Sequence, residues 1–98
     1  MLSEKELYEK LEEAVRTVLN TEPGEIHKDS MFKADLKAES IDYLDISYEI
    51  EQRTGIELDF TEALQYITEK KGNDITDISV QDMMDYMTLV IHQKEEKS

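Results

Sequence analysis

The sequence predicts an all-α protein, a small bundle of four helices, on three observations. Four stretches repeat apolar residues at the spacing of a helix face. Each carries a helix start or stop signal: Ser3, Ser40 and Gly55, Asp59 and Gly72, or Ser79. A Pro-Gly turn and one long polar connector break the pattern between the first two.

The chain has 98 residues, which predicts one domain spanning 1–98. A chain of this size buries about 60–70% of the surface it exposes when unfolded, so it can build one modest core. Cysteine is absent, which removes disulfides, thiolate metal sites and cysteine nucleophiles, and is in keeping with a cytoplasmic protein. The start, Met1-Leu2-Ser3-Glu4-Lys5-Glu6, has neither the basic nor the apolar region of a signal peptide. The longest purely aliphatic run, Leu89-Val90-Ile91, is far too short for a membrane span. Eleven basic residues face 24 acidic ones, a net charge of −13. Such a balance excludes nucleic-acid phosphate as a natural partner. It favours basic protein surfaces, met with electrostatic help to the encounter, at the cost of self-repulsion in the folded state.

In chain order, the first helix is expected from Ser3 to about Leu19. Ser3 and Glu6 have capping-box spacing, and Leu7, Leu11, Ala14, Val15 and Val18 form its apolar face. Glu9, Glu12, Glu13 and Arg16 make a solvated face opposite. Asn20-Thr21-Glu22-Pro23-Gly24 then stops the helix. Residues 25–39 form the long connector, anchored in the core by Ile26, Met31, Phe32 and Leu36. A connector of this length is uncommon in a small domain and is often functional. His27 has no second His or Cys near it and reads as a surface residue.

The second helix is expected over about 40–54, with Ser40 as N-cap and Gly55 as C-cap. Its apolar residues fall on two stripes. Tyr43, Ile46 and Ile50 share one side and are assigned to the core. Ile41, Leu44 and Tyr48 share the opposite side, bordered by Asp45, Glu49 and Glu51. A surface helix normally has one apolar face. The second stripe is therefore expected to be an exposed, acid-rimmed docking strip beginning beside Ser40. A helix buried on both sides is the other possibility.

Ile56 and Leu58 are expected to drop into the core from an extended turn. A third helix over about 60–71 follows from Asp59 and Glu62 as caps, Phe60, Ala63, Leu64 and Ile67 as the apolar face, and Lys70, Lys71 and Gly72 at the end. Asn73-Asp74 opens a loop through Asp77, whose acid spacing lacks the pattern of a calcium loop. The last helix is expected from Ser79 to about Gln93, capped by Ser79 and Asp82, with Val80, Met83, Met84, Met87, Val90 and Ile91 inside. The methionines either fill the core or line a pliable cavity, and their gap-filling habit favours the core. Lys94-Glu95-Glu96-Lys97-Ser98 reads as a frayed polar tail.

The run Asp29-Ser30-Met31-Phe32-Lys33-Ala34-Asp35-Leu36-Lys37-Ala38-Glu39-Ser40-Ile41-Asp42 resembles the acyl carrier protein signature, D-x-x-F-x-x-D-L-G-A-D-S-L-D in one-letter code. The resemblance continues from Glu49 to Leu58 and again from Val80 to Met87. It implies a four-helix bundle of acyl-carrier type, here with a long first connector and an enlarged third-helix region. It implies a 4′-phosphopantetheine arm, covalently attached to Ser40 and derived from coenzyme A. The implied partners are a magnesium-dependent phosphopantetheinyl transferase and acyl-transferring, condensing or modifying enzymes with basic docking patches. Asp42 aligns with a charged contact for the transferase, and Glu39, Asp45 and Glu51 with other acidic docking positions. This chain departs from the pattern at Lys37 for Gly, Glu39 for Asp and Ile41 for Leu, and at Gln52 and Thr54, where many relatives have an acid and a Phe.

The leading expectation is thus a monomeric, non-catalytic acyl carrier serving fatty-acid, polyketide or related lipid biosynthesis. Its docking surface comprises Glu39, Ile41, Asp42, Leu44, Asp45, Tyr48, Glu49 and Glu51. The alternative is a non-acylated acidic adaptor in which Ser40 is only a cap. An enzyme using Ser40 as nucleophile lacks a partner base, because neither His27 nor His92 has a sequence relation to it and the G-x-S-x-G turn is missing. Residues 59–72 are expected to wall a cargo cavity, Phe60, Leu64 and Ile67 facing the Met83-Met84-Met87 side of the last helix, or else to pack outside as an elaboration.

Overall fold

The computed structural model describes residues 3–22, 24–72 and 75–96. Four helices follow in order: α1 Glu4–Leu19, α2 Ser40–Thr54, α3 Phe60–Lys71 and α4 Val80–Glu96. Expectations for Pro23, for Asn73-Asp74 as a loop start, and for Lys97 and Ser98 lie outside the described residues, as do Met1 and Leu2.

α1 begins as its sequence requires. The Ser3 hydroxyl accepts from the Glu6 amide and the Glu6 carboxylate accepts from the Ser3 amide, each at 3.1 Å. It ends at Asn20 in a left-handed conformation, whose amide bonds back to the Arg16 carbonyl. Asn tolerates that geometry better than most residues. Leu7, Leu11, Ala14 and Val15 are buried.

α4 starts with the expected reciprocal box: Asp82 N–H donates to Ser79 Oγ at 3.0 Å, and Ser79 N–H to the Asp82 carboxylate at 3.1 Å. It continues to Glu96 instead of fraying after Gln93. Nothing between Gln93 and Glu96 is a Gly or Pro, and all four are good helix formers. Burial alone would raise the Asp82 pKa. The bonds from Ser79 and the Lys71 ammonium outweigh it and leave the carboxyl below its ordinary value.

Ile46, Ile50, Ile67, Met83, Met84 and Met87 fill the centre of the bundle, with Leu11, Val15, Phe32 and Val80. The methionines therefore fill the core. α3 is tied to α4 by ion pairs from Lys70 to Asp85 at 3.3 Å and from Lys71 to Asp82 at 3.1 Å. Tyr86 adds a hydrogen bond to Glu62 at 3.2 Å. Burial first, then the Glu62 carboxylate, pushes the Tyr86 phenol up to about 12.

The connector is packed, not loose. Ile26 and Phe32 are buried, and Met31 and Leu36 half-buried. The Tyr8 hydroxyl donates to the Ile26 carbonyl at 3.0 Å. An antiparallel bridge pairs Met31 with Ser79. Phe32 N–H donates to Ile78 O at 3.0 Å, Val80 N–H to Ser30 O at 2.9 Å, and Gln81 N–H to Lys28 O at 2.8 Å. The Asp77 carboxylate accepts from the amides of Lys33 and Ala34 at 2.9 and 3.0 Å. The connector is thus stitched along the segment that leads into α4, which fixes where its far end, and Ser40, must lie.

Candidate functional site

Ser40 is exposed at the end of that stitched connector. The neighbouring Ala38 is buried, and its amide donates to the carbonyl of buried Phe32 at 2.9 Å. Lys37 sits between connector and helix in a left-handed conformation, φ 59°. Its ammonium donates to the Ala34 carbonyl at 2.8 Å. That backbone geometry accounts for the glycine expected at this place, since a side chain there is strained.

Ser40 is not the N-cap expected from its position. Glu39 holds the cap, with extended backbone (φ −104°, ψ 168°), and Ser40 is the first residue of α2. The reason is Asp42, whose carboxylate accepts from the Glu39 amide at 2.8 Å and so satisfies the entry one residue earlier. The Ser40 side chain is left unspent on capping. It stands on the first helical turn, where unsatisfied backbone N–H groups and the helix dipole favour a phosphate.

The two stripes of α2 separate as expected. Ile46 and Ile50 are buried and Tyr43 is half-buried, whereas Ile41, Leu44 and Tyr48 are 65%, 73% and 59% exposed. Exposure at that level excludes a helix buried on both sides. Glu39, Asp45 and Glu51 are exposed beside the strip. Glu49 is different. It is half-buried and ion-paired with Arg53, which also bonds Glu13 at 3.5 Å and the Thr17 hydroxyl at 3.1 Å. Its charge is compensated within the protein and it braces α2 against α1.

A cleft of about 350 Å³ opens beside Ser40, lined by Tyr43, Leu44, Ser47, Leu58, Asp59, Phe60 and Thr61. Neither His27 nor His92 lines it. Tyr43 and Phe60 stack across it with ring centroids 4.6 Å apart and planes at 30°. Burial first, then the carboxylates of Asp77 and Asp42, holds the Tyr43 phenol above its usual range, so it stays neutral at physiological pH. Sequence reasoning assigned Tyr43 to the core and Phe60 to a cavity wall facing the methionines of the last helix. Their position near Ser40 had one legible signal, an aromatic residue three places after the serine on the edge of the inward stripe.

The third helix meets the cleft only in part. Phe60 and Leu64 are half-buried and line cavity walls, but Ile67 is fully buried in the core. The cavities they line lie toward Tyr43 and Ile78, not toward Met83, Met84 and Met87. The expected wall thus faces α2, and the pocket of about 440 Å³ beside Met84 is lined from α3 by Tyr66 and Lys70 instead.

Among the described residues, no three His, Cys, Asp or Glu side chains gather to hold a metal ion. No helix there is long and apolar enough to cross a membrane. The family model described as the phosphopantetheine attachment site matches residues 9–68, more than half of the chain and including α2. No curated protein matches the sequence.

Proposed function

The chain belongs to the phosphopantetheine attachment-site family, and from that premise we propose that Ser40 bears the arm and that α2 presents it to partner enzymes. Members of the family carry covalently attached 4′-phosphopantetheine and are carriers, not enzymes. The arm supplies a terminal thiol that holds an acyl group as a thioester. The residues of this chain fit it: an exposed serine on the first turn of a helix, uncommitted to capping, with a cleft beside it. That exposed, uncommitted hydroxyl is the observation that carries the proposal.

Each neighbour has a task. The Phe32–Ala38 bond and the Asp77 staple hold Ser40 in place for the transferase. Amides of the first turn of α2 are positioned to favour the phosphodiester. Ile41, Leu44 and Tyr48 give partners an apolar footing, and Glu39, Asp45 and Glu51 draw basic surfaces to it. Asp42 is partly committed to the helix start, so its contribution to docking is made from the cap. The enzymes served are those of fatty-acid, polyketide or related lipid assembly.

Incubation with a broad-specificity phosphopantetheinyl transferase and coenzyme A should add one arm, seen by intact mass, and Ser40→Ala should abolish it. The variant should keep its fold, with stability within about 0.5 kcal/mol, because Ser40 caps nothing. An arm added to Ser40→Ala, or none added to the unaltered protein, overturns the assignment.

A further inference from the structure

Ser40 stands where the surface charge changes sign. On the α2 side lie the Ile41-Leu44-Tyr48 strip and the exposed carboxylates of Asp45 and Glu51. On the connector side lie Lys33 and Lys37, both exposed. Among the described residues neither ammonium has an ion-pair partner, in a chain with 24 acidic residues against 11 basic ones. Carboxylates of the same region bond backbone amides instead. Asp35 accepts from the Met31 amide at 2.7 Å, Asp42 from the Glu39 amide at 2.8 Å, and Asp77 from the amides of Lys33 and Ala34. Glu39, between the lysines and Ser40, is exposed and pairs with neither.

Lys37 is the more informative of the two. Among the described residues only Asn20 and Lys37 combine a side chain with positive φ, 59° in each. Asn visits that backbone readily and Lys does not. Glycine would sit there without strain. The one bond of the Lys37 ammonium, to the Ala34 carbonyl, is solvent-exposed and leaves two of its three donors free. A strained side chain held beside a functional group points from the observed outlier to a task.

That task is set by distance. Three Cα steps separate Lys37 from Ser40, at most about 11 Å. Asp45 lies about 7.5 Å from Ser40 on the other side, along the axis of α2. Both distances are near the Debye length of about 8 Å at physiological ionic strength, so a molecule centred on Ser40 feels both charges. The transferase is the partner that has to reach the Ser40 hydroxyl itself. Enzymes acting on cargo work at the far end of the arm.

We infer that Lys37 is a specificity-determining residue for the modifying transferase: the carrier fits a transferase with a basic surface over α2 and a carboxylate facing Lys37, and resists one whose contact face is basic throughout. The inference rests on Ser40 bearing the arm. Opposite charges brought together across a contact favour binding and like charges oppose it, so one residue both selects and excludes.

The test measures modification against carrier concentration, with saturating coenzyme A and two enzymes. One is a broad-specificity transferase with a basic contact face, the other the transferase of the carrier's own host. With the first, Lys37→Gln should lower KM for the carrier roughly five-fold at low salt and leave kcat little changed, and Lys37→Glu should lower it further. With the second, the same two variants should raise KM. Lys37→Arg keeps the charge and should behave as the unaltered protein with both. High salt should shrink every difference. A lysine needed only for its turn would shift the urea midpoint and move KM with neither enzyme, which overturns the inference. A change of the same sign with both enzymes overturns it too, as does Lys37→Arg behaving like Lys37→Gln. In each of these cases the arm is still added and the Ser40 assignment stands. If neither enzyme modifies the unaltered protein, both readings fall together.

Discussion

Lys37 holds its backbone at φ 59°, a conformation that costs an L-residue about 1–2 kcal/mol relative to the right-handed region. Its ammonium recovers part of this through the Ala34 carbonyl, but that bond is solvent-exposed. Lys37→Gly should therefore stabilise the protein by up to about 1 kcal/mol, the strain relief less the larger unfolded-state entropy of glycine. Urea unfolding checks it: the midpoint should rise with the slope unchanged. A lower midpoint would mean that the Lys37–Ala34 bond outweighs the strain. Ser40, three places further on and one after Glu39, gives the complementary lesson. Serine before an apolar helix reads as a cap, yet Asp42 reaches back to Glu39 and takes the cap one residue earlier. Competition among neighbouring side chains for one helix entry is decided by geometry that residue preferences do not contain.

The elements themselves were legible to within a few residues, for physical reasons that differ. α1, α3 and α4 each announce a start through Ser3, Asp59 and Ser79, and Asn20, Gly55 and Gly72 end helices in left-handed backbone. The connector was legible only in its anchors. Its rigidity comes from Asp77, whose carboxylate binds amides 43 and 44 residues away, and no local pattern encodes that distance. Asp77→Ala should strip the acceptor from Lys33 and Ala34 and cost about 1–3 kcal/mol. Hydrogen exchange at the Lys33 and Ala34 amides should accelerate more than exchange in α1, since the loss is local to the connector. Equal acceleration everywhere would show that Asp77 acts on global stability alone. The same distance problem hid the cleft: Tyr43 and Phe60 are 17 positions apart and meet only because the chain turns between α2 and α3.

At the scale of the whole molecule, the net charge of −13 acts in two directions at once. Like charges crowded on a body with a radius of gyration of 12.7 Å repel, so added salt should raise the midpoint of unfolding by screening them. Salt should also slow association with a basic partner, because the same field steers the encounter. The exposed acids beside the docking strip sort these effects. Asp45→Lys or Glu51→Lys should slow association with the transferase at low salt, roughly ten-fold, and flatten its salt dependence. Neither carboxylate has an ion-pair partner among the described residues, so stability should change little. Glu49→Lys should do the reverse. It sets a cation beside Arg53, breaks the brace between α1 and α2, and costs about 0.5–1 kcal/mol of stability with a smaller effect on association. Stopped-flow association at two ionic strengths, paired with urea unfolding of the same variants, separates the cases. If all three reversals slowed association equally and left stability alone, then Glu49 would be a docking acid like the others, and its pairing with Arg53 would not decide which carboxylates a partner reads.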